Sequence, residues 1–134
     1  MIHLAAVAGS QEQEVGFCSY CGRHDDEERR VCSDCGLGVR LHADRSVVPE
    51  PGSPFLIVRG DGVISAASAA AERLLGQIVG LPVTAVLTHP DLLPTVALAT
   101  SGRPAPVTLT VDRMNATVAP CGLPPAALVV LERV

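Results

Sequence analysis

Cys18-Ser-Tyr-Cys21-Gly22 and Cys32-Ser-Asp-Cys35-Gly36, with ten residues between the two pairs, constrain this chain more than any other feature. Two residues between paired thiols let one tight turn aim both sulfurs at a single point. The glycine after each pair permits positive φ and a close approach of backbone N–H groups to the thiolates. Two such turns facing each other complete a tetrahedral four-sulfur site for Zn²⁺. Four protein thiolates leave no open position for water, so a metal held by Cys18, Cys21, Cys32 and Cys35 is expected to be structural, not catalytic. Two disulfides would need an oxidising compartment, of which the sequence carries no sign. A lone Cys-x-x-Cys can be redox-active, but doubling it is a metal pattern, and an iron centre with four thiolates is chemically allowed.

Residues 17–42, from Phe17 through both Cys-x-x-Cys-Gly turns to His42, resemble a zinc ribbon, with Leu37–Leu41 as the strand returning beside the second turn. The resemblance implies contacts with nucleic acid, RNA polymerase or other proteins. Charge decides against the first. The loop between the turns carries Asp25-Asp26-Glu27-Glu28 ahead of Arg29-Arg30, and residues 17–42 hold four Arg against five acids. The whole chain has net charge −4 and only three aromatic residues, Phe17, Tyr20 and Phe55, so it lacks both a basic face for phosphates and a stacking platform for bases. Binding of DNA or RNA polymerase by the ribbon is kept as an alternative. His24 and His42 are read as exposed histidines, because four Cys already complete the site.

No stretch approaches the roughly 20 apolar residues of a membrane span. Residues 1–16 form an N-terminal segment whose apolar run, Ile2 to Ala8, has no basic flank and contains His3, so no signal peptide is expected and the chain is placed in the cytoplasm. Residues 43–53 (Ala-Asp-Arg-Ser-Val-Val-Pro-Glu-Pro-Gly-Ser) break any hydrophobic period and read as a short linker.

Residues 54–134 form a second domain. Phe55-Leu56-Ile57-Val58 is an apolar strand followed by Gly60-Asp61-Gly62 and then Val63-Ile64, a hairpin signal. Ser68 can cap a helix running to Leu75, with Leu74 and Leu75 facing inward and Gly76 ending it. Leu81–Leu87 reads as a short helix with Pro82 in its first turn, and Asp91–Thr100 as another with Pro94 in its first turn and Gly102 beyond it. Val107–Asp112 and Met114–Ala119 alternate apolar and polar residues as strands, residues 120–125 form a Pro/Gly turn, and Ala127–Leu131 is a final apolar strand. The order β-β-α-α-α-β-β-β predicts an α+β fold with one antiparallel sheet. The first and last strands are apolar at successive positions and are expected at the centre of the sheet, with the alternating ones toward its edge.

The wording Asp61-Gly62-Val-Ile64-Ser-Ala-Ala-Ser68-Ala-Ala70-Ala71-Glu72-Arg73-Leu74-Leu75-Gly76, and then Gly80-Leu-Pro82-Val83-Thr-Ala-Val-Leu87-Thr-His89-Pro90-Asp91, resembles a PAS domain. The resemblance implies a five-stranded antiparallel sheet, helices on one face, and a small cavity beneath them used for ligand sensing or partner binding. It departs from the family at Ser68, where Asn is usual, and in a shortened stretch between Gly76 and Gly80. A light-sensing flavin would need an Asn-Cys-Arg motif, which the sequence lacks. Haem would need His89, the only His of the second domain. The words His89-Pro90-Asp91 are a common helix start in the family and disfavour ligation, so a haem sensor stands only as an alternative.

The Ala-, Val- and Leu-rich interior can leave volume for a small apolar, fatty-acid-like ligand. Its candidate lining is Phe55, Ile57, Leu74, Leu75, Val86, Leu87, Leu92 and Val129. Cys121 is read as a spare thiol in a turn. No Ser-His-Asp set, paired carboxylates or phosphate-cradling Gly loop is present, and five Arg cancel five acids in residues 54–134. These features point to a non-enzymatic regulatory or sensor protein, a zinc ribbon joined to a PAS-like module. Its output is expected to pass through the ribbon, a dimer interface or a separate protein partner. The outer face of the sheet is expected to need a cover, from the ribbon or from a second copy in a homodimer.

Overall fold

The structure, a computed structural model, describes residues 14–24, 32, 35–101, 107–122 and 126–133. The acidic loop 25–30, the N-terminal apolar run, Gly102 and residues 123–125 of the expected turn lie outside the described residues.

The chain starts with strands β1 (Glu14–Cys18) and β2 (Arg40–Asp44), and continues with β3 (Phe55–Val58) and β4 (Ile64–Ala67). Helices α1 (Ala69–Leu75), α2 (Val83–Val86) and α3 (Leu92–Thr100) follow, and then β5 (Val107–Val111), β6 (Met114–Cys121) and β7 (Ala126–Arg133). The strands form one antiparallel sheet in the order β1-β2-β6-β7-β3-β4, with β5 also paired to β6. The order expected for the second half is therefore present, but its five strands are joined by two more. β5 takes Met114–Val118 of β6, and β2 takes the end of the same edge, where Ala43 pairs with Cys121 and the Gly122 N–H donates to the His42 carbonyl at 2.9 Å.

Local chemistry explains the boundaries. The Ser68 side chain accepts the Ala71 N–H at 3.1 Å and starts α1, and Gly76, at φ 85°, ends it. Pro94 falls within the first turn of α3, where N–H groups have no partner inside the helix. Asp112 and Arg113, at φ 46° and 66°, make the two-residue connection between β5 and β6. Such left-handed pairs match the twist of the flanking strands.

Period-two alternation sorts the sheet residues into two apolar layers. Leu56 and Val58 of β3, Ala116 and Val118 of β6, and Ala127, Val129 and Leu131 of β7 face the helices, where Ala71, Val83, Leu87, Leu92, Val96 and Ala99 meet them. Phe55 and Ile57, Ala119 and Cys121, and Leu128 and Val130 face the other way, onto Phe17, Ala43 and Val47. Part of the outer face of the sheet is thus covered from within the chain, by β1, β2 and the turn after them.

Four expectations need correction. First, Ala43 and Asp44 are strand, not linker. The Asp44 carboxylate accepts the Ser46 N–H at 2.9 Å and its hydroxyl at 2.7 Å, a turn that folds Val47 back into the outer layer. Second, β6 alternates yet lies inside the sheet. Its alternation records that Asn115 and Thr117 sit where the outer face is only partly covered. Third, Leu74 is 42% exposed, because the buried stripe of α1 runs through Ala71 to Leu75, and Leu74 lies about 100° round the helix from Leu75. Fourth, Pro82 precedes α2 instead of lying in it. The Val63–Pro82 bridge and the Ile64 N–H to Leu81 carbonyl bond, 2.9 Å, hold that stretch extended.

Candidate metal centre

The four cysteines expected to share a metal are brought together. Their Sγ atoms lie within 4.8 Å of one another, with Cys18 and Cys35 3.6 Å apart and Cys21 and Cys32 3.8 Å apart. A tetrahedron of sulfurs at a zinc–sulfur distance of about 2.3 Å has edges of about 3.8 Å. The cluster therefore fits a metal ion such as Zn²⁺.

The two turns are built alike. In the first, the Gly22 N–H reaches the Cys18 carbonyl at 3.1 Å; in the second, the Gly36 N–H reaches the Cys32 carbonyl at 2.9 Å. Gly22 and Gly36 have φ of 78° and 69°, the left-handed conformation that glycine accepts freely. The N–H groups of Tyr20 and Cys21 point at Cys18 Sγ, at 3.4 and 3.5 Å. The returning chain at residues 38–39 is bonded to both turns: the Ser19 N–H donates to the Val39 carbonyl at 2.8 Å, and the Cys32 N–H to the Gly38 carbonyl at 2.9 Å. The buried Ser19 hydroxyl accepts the Val39 N–H at 3.0 Å.

As free thiols the cysteines hold their protons unequally. Burial raises the pKa of Cys18. Burial also pushes Cys21 up to about 12; the Arg23 N–H opposes this, while the Cys18 and Cys32 side chains add to it. Burial acts upward on Cys35 too, but the Leu37 and Gly38 N–H groups, with the Cys18 and Cys21 side chains, outweigh it and lower the thiol to about 7. A metal ion must therefore displace protons to bind at neutral pH, and its binding weakens as pH falls.

Gly38 is a residue the sequence does not single out. A Cβ there would lie 2.1 Å from Cys18 Sγ and 2.8 Å from the Tyr20 nitrogen, so only glycine lets the returning chain pass the first turn. Its position three residues after Cys35 was the available signal. His24 and His42 stand apart from the sulfurs: the His24 ring bonds the Pro49 carbonyl at 2.8 Å, and His42 is exposed. Cys121, expected in a turn, is the last residue of β6 and is buried, which pushes its thiol up to about 12.

The candidate ligand-lining residues do not share one site. Leu87, Leu92 and Val129 belong to the helix-side layer, with Leu75 and Val86 packed against it. Phe55 and Ile57 belong to the outer layer, and Leu74 is exposed. His89 accepts the Asp91 N–H on Nδ1 at 3.0 Å, ahead of α3. A separate groove of about 460 Å³ is lined by Glu14, Arg40, Leu41, His42 and Gly122, none of which is among the expected ligand-lining residues.

No protein-family model and no curated protein matches the chain. Among solved structures, the chain is similar to the PAS domain of nitrogen regulation protein NR(II) from Vibrio parahaemolyticus, with a TM-score of 0.51 and 20% identity over 62% of this chain and 90% of that one. At that identity the likeness is one of fold: an antiparallel, curled sheet with few helices, the class that the second half of the sequence resembles. Among the described residues, no helix is long and apolar enough to cross a membrane.

Proposed function

We propose that this chain is a non-enzymatic regulatory or sensor module. In this reading a zinc-ribbon-like front, holding one structural Zn²⁺ on Cys18, Cys21, Cys32 and Cys35, serves as the fixed outer wall of a PAS-like sheet. The observation that carries the reading is the convergence of four sulfurs within 4.8 Å of one another beside Phe17, which belongs to the same buried layer as Phe55 and Leu128. A segment this small cannot hold itself together by burial alone, and a metal supplies the missing cross-link.

The PAS-like half would then receive the signal. The helix-side layer contains no aromatic residue, and the fold likeness supports a small apolar ligand or a protein partner meeting that half. Among the described residues, no His, Asp or Glu joins the four cysteines in the cluster, and four thiolates leave the metal no position for substrate. Native mass spectrometry of the protein from its own host tests both halves of the proposal. One zinc per chain and a further mass released on denaturation support it. Protein of bare polypeptide mass contradicts it.

A further inference from the structure

Besides the buried layer around Phe17, the two modules that the sequence separates share a contact between backbone groups. Tyr20 lies between Cys18 and Cys21, and its carbonyl accepts the N–H of Ala69 at 2.8 Å. Ala69 is the first residue of α1, so its N–H is one of the donors a helix cannot satisfy from within. The neighbouring carbonyl, Cys21, accepts the Gly52 N–H at 3.3 Å. Gly22 sits so close to the same segment that an added Cβ would be 3.3 Å from Pro51 Cα. The first cysteine turn is therefore seated on residues 51–52 and on the start of α1.

The conformation that aims the Cys18 and Cys21 sulfurs inward is the one that turns the Tyr20 carbonyl toward α1. Both properties belong to a single five-residue turn, closed by Gly22 N–H on the Cys18 carbonyl and by two N–H groups on Cys18 Sγ. Beyond Ala69 the link continues. The Ser68 hydroxyl accepts the Phe55 N–H at 3.0 Å and donates to the Ser53 carbonyl at 3.1 Å, and Ala71 enters the helix-side layer. We propose that the Tyr20 carbonyl to Ala69 N–H bond is a latch, through which metal occupancy of the four-sulfur site sets the order of α1. The metal is then an input to the PAS-like half and not only a staple. This rests on the metal-site reading above. Coupling of this kind is reciprocal: a latch that the metal tightens strengthens metal binding by the same factor.

Ala69→Pro isolates the latch. Proline is well tolerated at the first helical position, and the residue before it, Ser68, already has the extended φ −68° and ψ 160° that proline demands of its neighbour. The substitution removes one N–H and leaves the sulfurs untouched. Hydrogen exchange of the full chain, zinc-loaded and after chelation, is the readout, with the amides of α3 as internal control. Zinc removal is expected to speed exchange at Ala69, Ala71 and Glu72 by about fivefold or more, with a smaller change in α3. Ala69→Pro is expected still to bind one Zn²⁺, about fivefold more weakly, and to lose the zinc dependence of Ala71 and Glu72. If zinc binds but its removal leaves α1 unchanged, or loosens α3 equally, the latch is overturned and the metal site stands. If the wild-type chain binds no zinc, both are overturned. Should the proline variant not fold, the comparison of α1 with α3 in the wild-type chain decides alone.

Discussion

Phe17 meets Phe55 edge to face, with ring centroids 5.5 Å apart and planes at 76°. One ring immediately precedes the first sulfur, and the other opens the first strand of the PAS-like half; both are fully buried. This contact makes the front of the chain part of the core instead of an appended module.

Phe17→Ala should lower the unfolding free energy of the zinc-loaded protein by about 3–5 kcal/mol, the range for a truncated buried aromatic. A double-mutant cycle with Phe55→Ala should assign about 0.5–1.5 kcal/mol to the ring pair itself. Denaturant titration measures both. A loss below about 1 kcal/mol would show that the outer layer is not packed as described.

Gly38→Ala should weaken zinc binding at least about tenfold, since a Cβ 2.1 Å from Cys18 Sγ forces the sulfur or the Tyr20 backbone to move. Gly60→Ala is the matched control, because its added Cβ would meet nothing nearer than 3.8 Å. Competition against a chromogenic chelator reads the affinity, and equal affinities for the two variants would remove Gly38 from the site.

Ser68→Ala should be among the most damaging small substitutions. The hydroxyl is 1% exposed at residue level; it caps α1 at Ala71 and also accepts the Phe55 N–H, so its loss strands buried donors. A cost of about 2–4 kcal/mol is expected by thermal or denaturant unfolding. Ser68→Asn, which can still accept hydrogen bonds, should recover part of it.

Much of this arrangement was legible in the residues, and the exceptions share a cause. The sulfur site follows from short-range spacing, because two residues between thiols and a following glycine determine a turn without help from the rest of the chain. The strand-helix order after Pro54 follows from local periodicity and from Ser68, Gly76 and Pro94. What could not be read is which face a neighbour covers. Phe55-Leu56-Ile57-Val58 is apolar throughout, and nothing in those four residues says that Phe55 and Ile57 meet Phe17 while Leu56 and Val58 meet the helices. For the same reason the candidate lining residues fall on both sides of the sheet. Pairing of Ala43 with Cys121 is a contact across some 80 residues and leaves no local trace.

Stability should fall at alkaline pH through Cys121. Burial raises its folded pKa from 9.0 to about 12, so between these values the unfolded chain loses a proton that the folded chain keeps. The contribution is complete below pH 9 and is lost as pH rises toward 12. Cys121→Ala should flatten that part of the stability–pH profile of the zinc-loaded protein. An unchanged alkaline slope would place the thiol in contact with solvent.

X-ray absorption at the zinc edge of the purified chain addresses the four-sulfur centre most directly. Four sulfur scatterers at about 2.3 Å, with no nitrogen or oxygen in the inner shell, is the predicted result. A mixed shell containing His24 or His42, or a preparation that carries no metal and keeps its melting temperature under chelation, would contradict it.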